Sequence, residues 1–237
     1  MRLGILLLAC LSHLTGTPAA AAEPKVLRFA FRSVETGFDP QRVDDVYSSA
    51  VCSEIFEPLL EFDYFARPVR LVPGVAESVP APEDGGRTYT FRLKPGIYFA
   101  DDPAFGGKRR ELTAADAAYA IKRLRDPRNR APYSWLFQNN LPGLDELHDE
   151  ALKTGKFDYD RSIPGIEVVD RYTLRLRLKE PDYTFLYRFA LPQTSPVARE
   201  VIAAYGEDTM SHPVGTGAFR LAEWTRRQKI VLVKNPD

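Results

Sequence analysis

The amino-acid sequence predicts a mixed α/β protein that is rich in β structure. Residues 89–93 and 173–178 alternate between apolar and polar side chains, which is the pattern of half-buried strands. Residues 113–125 instead carry apolar side chains at helical spacing behind a Thr–Asp pair that is typical of a helix start. Both kinds of element occur without an internal repeat, and 237 residues are enough for one large domain or two small ones.

Residues 1–22 have the pattern of a cleavable secretory signal. Arg2 precedes an apolar run over 3–14, and small residues then lead to a cleavage pattern at 20–22. The run is shorter than the ~20 apolar residues that span a bilayer, which disfavours a membrane anchor. One alternative stays open, because the residues before Cys10 also resemble the cleavage box of a bacterial lipoprotein. Either pattern predicts export, and we expect a periplasmic location.

The charge composition excludes several classes of partner. The sequence has 32 basic and 32 acidic residues, and its formal net charge is zero. Because proteins that bind nucleic acid need a basic surface, we expect no nucleic-acid partner. The sequence has no polybasic membrane patch and no acidic tail. Composition alone therefore selects no function.

The first predicted elements are a strand over 26–31, an irregular segment over 33–40 and a helix around Cys52. Apolar residues near Cys52 repeat at helical spacing, so we expect its thiol to be buried and unreactive. Removal of the signal leaves Cys52 as the single cysteine of the mature chain. The sequence therefore predicts neither an intrachain disulfide nor a cysteine-based metal site.

The later elements are predicted from short apolar patterns that turn residues separate. They are strands over 58–63, 89–93 and 173–178, a strand and turn over 166–172, helices over 113–126 and 144–153, and a hairpin formed by 219–224 and 229–234. A turn is expected at 84–86. The Gly215-Thr216-Gly217 run precedes a strand, so we expect a tight bend there and no dinucleotide-binding turn. Arg175 and Arg177 are expected on a solvated strand face.

The motifs of common enzyme classes are absent from the sequence. It contains no G-x-S-x-G elbow, no H-E-x-x-H zinc motif and no phosphate-binding loop. His148 is expected to be an exposed helix residue and His212 to lie in a turn, and neither has a nearby nucleophile. Asp101, Asp102 and Glu111 lack the ligand spacing of a calcium loop. The residues alone indicate an exported globular protein without evident catalytic chemistry.

Seven motifs that occur in order connect the sequence with a known family. They lie at 38–40, 55–63, 72–78, 89–99, 112–116, 213–224 and 231–237. Together they resemble the periplasmic oligopeptide-, dipeptide- and nickel-binding proteins of ABC importers, which form extracellular solute-binding protein family 5. The most specific of the seven is the stretch from Pro213 to Trp224.

The resemblance implies a periplasmic-binding-protein-like fold of two lobes, of which this chain would hold the N-terminal part. The implied division is a signal peptide over 1–22, a first segment of lobe I over 23–56, a smaller β-rich subdomain of lobe I over 57–190, and a truncated return to lobe I over 191–237. Family members are considerably longer, so we expect a fragment of a longer gene product. The loop 101–111 and the excursion 128–162 depart from the family pattern, and their roles stay open.

The resemblance also implies a substrate-binding role in import. The protein would capture a peptide or a similar small solute by hinge closure and deliver it to a permease in the inner membrane. In this family the segment after the first strand lines the cleft and pairs with ligand backbone. That segment maps to Ser33, Val34, Glu35 and Thr36, called the candidate segment below, and Gln193 and Thr194 form a second candidate wall. A solvent loop is the alternative for the candidate segment, and Tyr133 and Trp135 are either lip aromatics or part of local packing.

The resemblance implies no cofactor, no metal and no catalytic residue, and we expect a monomer that is not an enzyme. Two other functions stay open: a periplasmic sensor or chaperone on the same scaffold, and an exported hydrolase. The ligand also stays open, since peptides, metal chelates, opines and sugars all occur on this scaffold.

Overall fold

The computed structural model describes residues 25–236, so the predicted signal at 1–22 and Cys10 lie outside the described part. The chain divides at Phe31; the described residues before this point, 25–31, are neither helix nor strand, and a compact unit begins at Arg32. Among the described residues, no helix is long and apolar enough to cross a membrane.

The strand predicted over 26–31 is wrong for this structure. Residues 25–31 are neither helix nor strand, and no described strand forms a hydrogen-bonded ladder with them. Val26, Leu27 and Phe29 are 64%, 93% and 79% exposed. An apolar alternating pattern becomes a strand only where a neighbouring strand pairs with it, and no described strand does so here.

The compact unit contains helices and short strands in alternation, which confirms the mixed α/β prediction. In chain order they are α1 (Val46–Ile55), β1 (Leu60–Phe62), β2 (Leu71–Pro73), β3 (Thr88–Arg92), α2 (Ala114–Arg125), α3 (Leu144–Thr154), β4 (Ile166–Val168), β5 (Thr173–Arg177), α4 (Arg199–Tyr205), β6 (Phe219–Thr225) and β7 (Lys229–Lys234). Short 3₁₀ helices lie at Asp84–Gly86, Pro103–Phe105, Pro127–Asn129, Ser134–Phe137, Phe185–Ala190, Pro192–Thr194 and Gly206–Met210.

The strands of the compact unit pair antiparallel, as β1–β2, as a sheet of order β3–β5–β4, and as the β6–β7 hairpin. In the β3–β5 ladder Tyr89 lies opposite Leu176 and Phe91 lies opposite Leu174. All four side chains are buried, so one face of this sheet forms the core, as the alternating patterns predict. Residues of the opposite face include Arg175 and Arg177, which pair with Glu167.

Helix α2 covers this core and begins where the sequence predicts. The Asp116 carboxylate accepts hydrogen bonds from the backbone N–H of Thr113 at 2.8 Å and from its hydroxyl at 2.9 Å, which closes the first turn. Ala117, Ile121 and Leu124 are buried on one face. Helix α3 buries its own apolar stripe in the same cluster, with side chains from Leu144, Leu147 and Ala151.

Burial bears on the thiol prediction and describes the two aromatic residues Tyr133 and Trp135, whose role as lip aromatics or as local packing stays a prediction. Cys52 is fully buried in α1, and burial raises the pKa of its thiol, so the cysteine is unreactive as expected. Tyr133 packs partly against the core, whereas the side chain of Trp135 is 61% exposed.

The glycine bend at 215–217 joins the β6–β7 hairpin to the end of α1. The backbone N–H of Gly217 donates to the carbonyl oxygen of Ile55 at 2.8 Å. A Cβ atom on Gly215 would lie 2.0 Å from that same oxygen, a distance that two non-bonded atoms cannot share. The bend therefore requires glycine because of close backbone approach.

We expect Gly215→Ala to lower the free energy of unfolding by more than about 3 kcal/mol, because the backbone of α1 cannot yield as a flexible side chain would. Urea unfolding measures this loss. Gly85→Ala is the matched control, since its Cβ meets nothing within 4 Å and only its positive φ of 62° opposes alanine, which costs ~1–2 kcal/mol. Equal losses in the two variants would refute the close-approach argument.

Glu111 connects three loops of the compact unit. Its carboxylate accepts hydrogen bonds from Arg171 at 2.7 Å, from the Tyr172 hydroxyl at 2.9 Å and from the backbone N–H of Gly96 at 2.7 Å. The Arg171 hydrogen bond is the largest cause that lowers the pKa of Glu111, to about 2. The charged form is therefore the one that the folded chain stabilises.

The difference in unfolding free energy between the wild type and Glu111→Gln is expected to depend on pH. A carboxylate whose pKa is lowered by folding contributes stability above its unfolded pKa of ~4.3 and loses that contribution as pH falls towards 2. The wild-type advantage should be constant from pH 7 to 5 and should vanish by pH 2. A pH-independent difference in urea unfolding would contradict this account.

Candidate functional site

The candidate segment lies across the beginning of helix α1. The backbone N–H of Thr36 donates to the Ser48 hydroxyl at 2.9 Å, and its own hydroxyl donates to Asp45 at 2.7 Å. Just before the segment, the backbone N–H of Arg32 donates to the Tyr47 hydroxyl at 3.1 Å. The first turn of α1 therefore holds the segment near both of its ends.

Glu35 is buried against the turn of the β6–β7 hairpin. Its Oε1 atom accepts hydrogen bonds from the Trp224 indole at 2.6 Å and from the backbone N–H of Arg227 at 3.1 Å. Burial alone would raise the pKa of Glu35, but these hydrogen bonds and the nearby Arg226 charge lower it below its usual value. The ionised side chain thus fastens the segment to the hairpin, in addition to the contacts that Thr36 makes with α1.

Ser33 and Val34 are both exposed, with Val34 at 46%. Among the described residues, their backbone N–H and C=O groups have no hydrogen-bond partner. Backbone groups in this state are able to pair with an added extended peptide. The contacts of Glu35 and Thr36 also distinguish the segment from a loose solvent loop.

Gln193 and Thr194 lie in the 3₁₀ turn Pro192–Thr194 and are 3% and 2% exposed. The Gln193 amide donates to the Ser49 hydroxyl at 3.0 Å, and the Thr194 hydroxyl donates to the Arg188 carbonyl oxygen at 2.9 Å. Ser49 follows the serine that Thr36 contacts, so both candidate walls meet α1 at adjacent residues. The side chains of Gln193 and Thr194 are engaged inside the protein.

Sequence reasoning missed two exposed residues at the start of α1. Val46 is 77% exposed and Asp44 is also exposed, and both flank Asp45, which holds Thr36. Asp45 caps the helix by accepting the backbone N–H of Ser48 at 2.7 Å. An aspartate three residues before a serine is a recognisable helix-start signal, which would have placed this surface.

A buried ion pair involves Asp39, which follows the candidate segment in the sequence. The Arg123 guanidinium contacts both carboxylate oxygens of Asp39, at 3.0 and 2.7 Å, and the two side chains are 2% and 0% exposed. The Thr209 hydroxyl donates to the same carboxylate at 2.9 Å. Burial would raise the pKa of Asp39, but the Arg123 charge and these hydrogen bonds hold it below its usual value.

Gln41 extends the ion pair to the second wall. Its side-chain oxygen accepts a hydrogen bond from Arg123, and its amide nitrogen donates to the carbonyl oxygens of Gln193 at 3.2 Å and Ser195 at 3.0 Å. One hydrogen-bonded network therefore connects α2, the residues after the candidate segment and the second wall.

One of the two described histidines contacts a backbone carbonyl oxygen and the other a carboxylate. His148 is half-buried with Nδ1 2.7 Å from the Arg125 carbonyl oxygen, so the expectation of an exposed residue is wrong. His212 follows a turn, stacks on Tyr205 and has Nε2 2.7 Å from Asp102. In the described residues neither ring nitrogen contacts a serine hydroxyl or a thiol, as a catalytic pair would require.

The candidate segment is thus an anchored stretch of backbone beside the start of α1. The family model "Bacterial extracellular solute-binding proteins, family 5 Middle" matches residues 70–237. The chain therefore belongs to solute-binding protein family 5, as its motifs indicate.

Individual relatives agree with this assignment. The chain is 31% identical over 201 residues to the periplasmic oligopeptide-binding protein OppA of Escherichia coli, covering 84% of this chain and 34% of OppA. It is 28% identical to di/tripeptide-binding protein 2 of Pseudomonas aeruginosa, covering all of this chain and 42% of that protein. The chain thus spans about a third to two-fifths of the length of these relatives.

Solved structures show the same fold. The periplasmic murein tripeptide-binding protein MppA, in its unliganded open form, superposes with a TM-score of 0.69 at 26% identity, covering 86% of this chain and 36% of MppA. The periplasmic binding protein DppA of Helicobacter pylori, in complex with a peptide, gives 0.65 at 26% identity, with 86% and 38% covered. The described chain corresponds to part of the fold of these binding proteins.

We expect Arg123→Met to destabilise the protein by about 3–5 kcal/mol, because it leaves the Asp39 carboxylate buried without its counter-charge. Arg161→Met is the matched control, since its partner Glu150 and Arg161 itself are half exposed and such pairs contribute ~1 kcal/mol or less. Urea unfolding compares the two. A loss in Arg123→Met as small as that in the control would show that the buried Asp39 carboxylate does not need its counter-charge.

Proposed function

We propose that this chain is the ligand-contacting N-terminal portion of a substrate-binding component of an ABC importer. The ligand is a peptide, captured in the periplasm and delivered to a permease in the inner membrane. Support comes from the family assignment and from relatives whose names describe peptide binding. The protein acts as a monomer and does not catalyse a reaction; its named relatives are binding proteins.

One observation carries the proposal: Ser33 and Val34 are exposed and, among the described residues, leave their backbone groups unpaired between neighbours that are held. A peptide in extended conformation presents complementary N–H and C=O groups at the matching spacing. Metal chelates, opines and sugars do not present such a repeat. The geometry therefore favours a peptide among the ligand classes that the family accepts.

The proposed division of the chain follows the family pattern. Residues 1–22 direct export, 23–56 begin lobe I, 57–190 form its smaller β-rich subdomain and 191–237 return to lobe I. The walls of the site are then the candidate segment, from the first part, with Gln193 and Thr194, from the last. Because the side chains of the second wall are buried, its contribution is to support the site.

Titration calorimetry of the full gene product that carries this sequence tests the proposal. Di-, tri- and pentapeptides of alanine are titrated beside nickel–histidine and a simple sugar. We expect heat from at least one peptide, with a Kd at or below the micromolar range that is ordinary for specific recognition. Heat from the chelate or sugar alone would overturn the peptide assignment.

The backbone contribution is tested by Val34→Pro, which removes one N–H donor from the segment. We expect peptide affinity to fall about tenfold or more, the effect of losing one well-placed hydrogen bond. Val34→Ala is the matched control because it shortens the side chain and keeps the N–H, so its affinity should stay within about threefold of the wild type. Equal affinities in the proline and alanine variants would argue against backbone pairing at this residue.

A further inference from the structure

The turn of the β6–β7 hairpin, residues 225–228, sits directly on the candidate segment. We propose that this turn, together with Trp224, is a clamp that sets ligand affinity without touching the ligand. Glu35 and Trp224 are then positioning residues. This inference rests on the proposed function and explains what sets the affinity of the candidate segment for its ligand.

The clamp grips the segment through two successive residues. Glu35 accepts hydrogen bonds from the Trp224 indole at 2.6 Å and from the backbone N–H of Arg227 at 3.1 Å. The Arg226 guanidinium donates to the Thr36 carbonyl oxygen at 3.1 Å. The side chain and the main chain of the segment are therefore held by the same turn.

The turn itself has an unusual backbone. Arg227 has a φ of 64°, in the left-handed region that glycine and asparagine favour in hairpin turns. In this conformation its N–H meets the buried Glu35 carboxylate. A strained residue that supplies a contact to a binding segment is the arrangement expected of a clamp.

Aromatic packing fixes the position of the indole that contacts Glu35. The Trp224 ring lies 4.7 Å from the Phe38 ring, and the Arg226 guanidinium lies 5.7 Å from the Trp224 ring centre. Phe38 is fully buried. The indole N–H is therefore held by a rigid surface and aims at Glu35.

The clamp and α1 hold Glu35 and Thr36 from two sides, while Ser33 and Val34 stay free to bind. Ordering a flexible segment costs conformational entropy at the moment of binding. A segment that is already ordered avoids this cost, so a released segment should bind more weakly by about tenfold for one or two residues freed. Ligand affinity would then depend on Glu35 and Trp224, which do not themselves contact the ligand.

The test titrates trialanine, the probe, into the full gene product at 15 °C. Glu35→Ala and Trp224→Phe should each weaken trialanine binding about tenfold. Glu35→Gln should recover affinity to within about threefold of the wild type, because its amide oxygen accepts the same two hydrogen bonds. Arg220→Ala is the matched control, since its exposed side chain lies on the same hairpin outside the clamp, and its trialanine affinity should stay within about threefold of the wild type.

A readout that needs no ligand accompanies the titrations. Amide hydrogen exchange at Thr36 and Gly37 should be faster in Glu35→Ala than in Glu35→Gln, even if both unfold at the same urea concentration. Suppose that the wild type binds trialanine, and that Glu35→Ala binds it with the same affinity and exchanges its amides at the same rate. This result would overturn the clamp and leave the proposed function standing. A wild type that binds none of the peptides would overturn the proposed function, and the clamp with it.

Discussion

The arrangement of the compact unit depends on the buried pair of Asp39 and Arg123. Taking two charges out of water costs several kcal/mol for each ion, so such a pair persists only where geometry and further hydrogen bonds offset that cost. Here the guanidinium contacts both carboxylate oxygens, and Thr209 and Gln41 supply additional bonds. The Nε atom of Arg123 has no partner among the described residues, so the compensation is incomplete. The pair therefore contributes orientation more than net stability.

That orientation matters because the pair lies where three parts of the chain meet. Asp39 follows the candidate segment by three residues, Arg123 belongs to α2, and Gln41 carries the network to Gln193. A bidentate contact fixes direction as well as distance. The two candidate walls, which are far apart in sequence, are therefore both connected to this buried ion pair in the compact unit.

Much of the fold could be predicted from sequence, because the elements concerned follow from local patterns. The alternation of Tyr89 and Phe91 predicts strand β3, and the capping pair of Thr113 and Asp116 predicts the start of α2. The strand over 26–31 could not be judged in this way, since a strand also needs a neighbour. The partner of Asp39 lies 84 residues away, and no local pattern reveals it. Glu35 was placed in the candidate segment, but its burial against Trp224 depends on the same kind of distant contact.

Among the described residues, Glu35 and Thr36 are held, whereas Ser33 and Val34 are not. This difference affects which ligands the proposed site can distinguish. Recognition through backbone groups is indifferent to ligand side chains, because every residue except proline offers the same N–H and C=O. Under the proposed function, such a site would select for extended peptide backbone and leave sequence preference to other surfaces. The start of α1 offers one such surface, because Asp44 and Val46 are exposed and flank Asp45, which holds Thr36. If the proposed segment pairs with ligand backbone, an acidic and an apolar side chain there would favour a ligand with a positive charge close to an apolar residue.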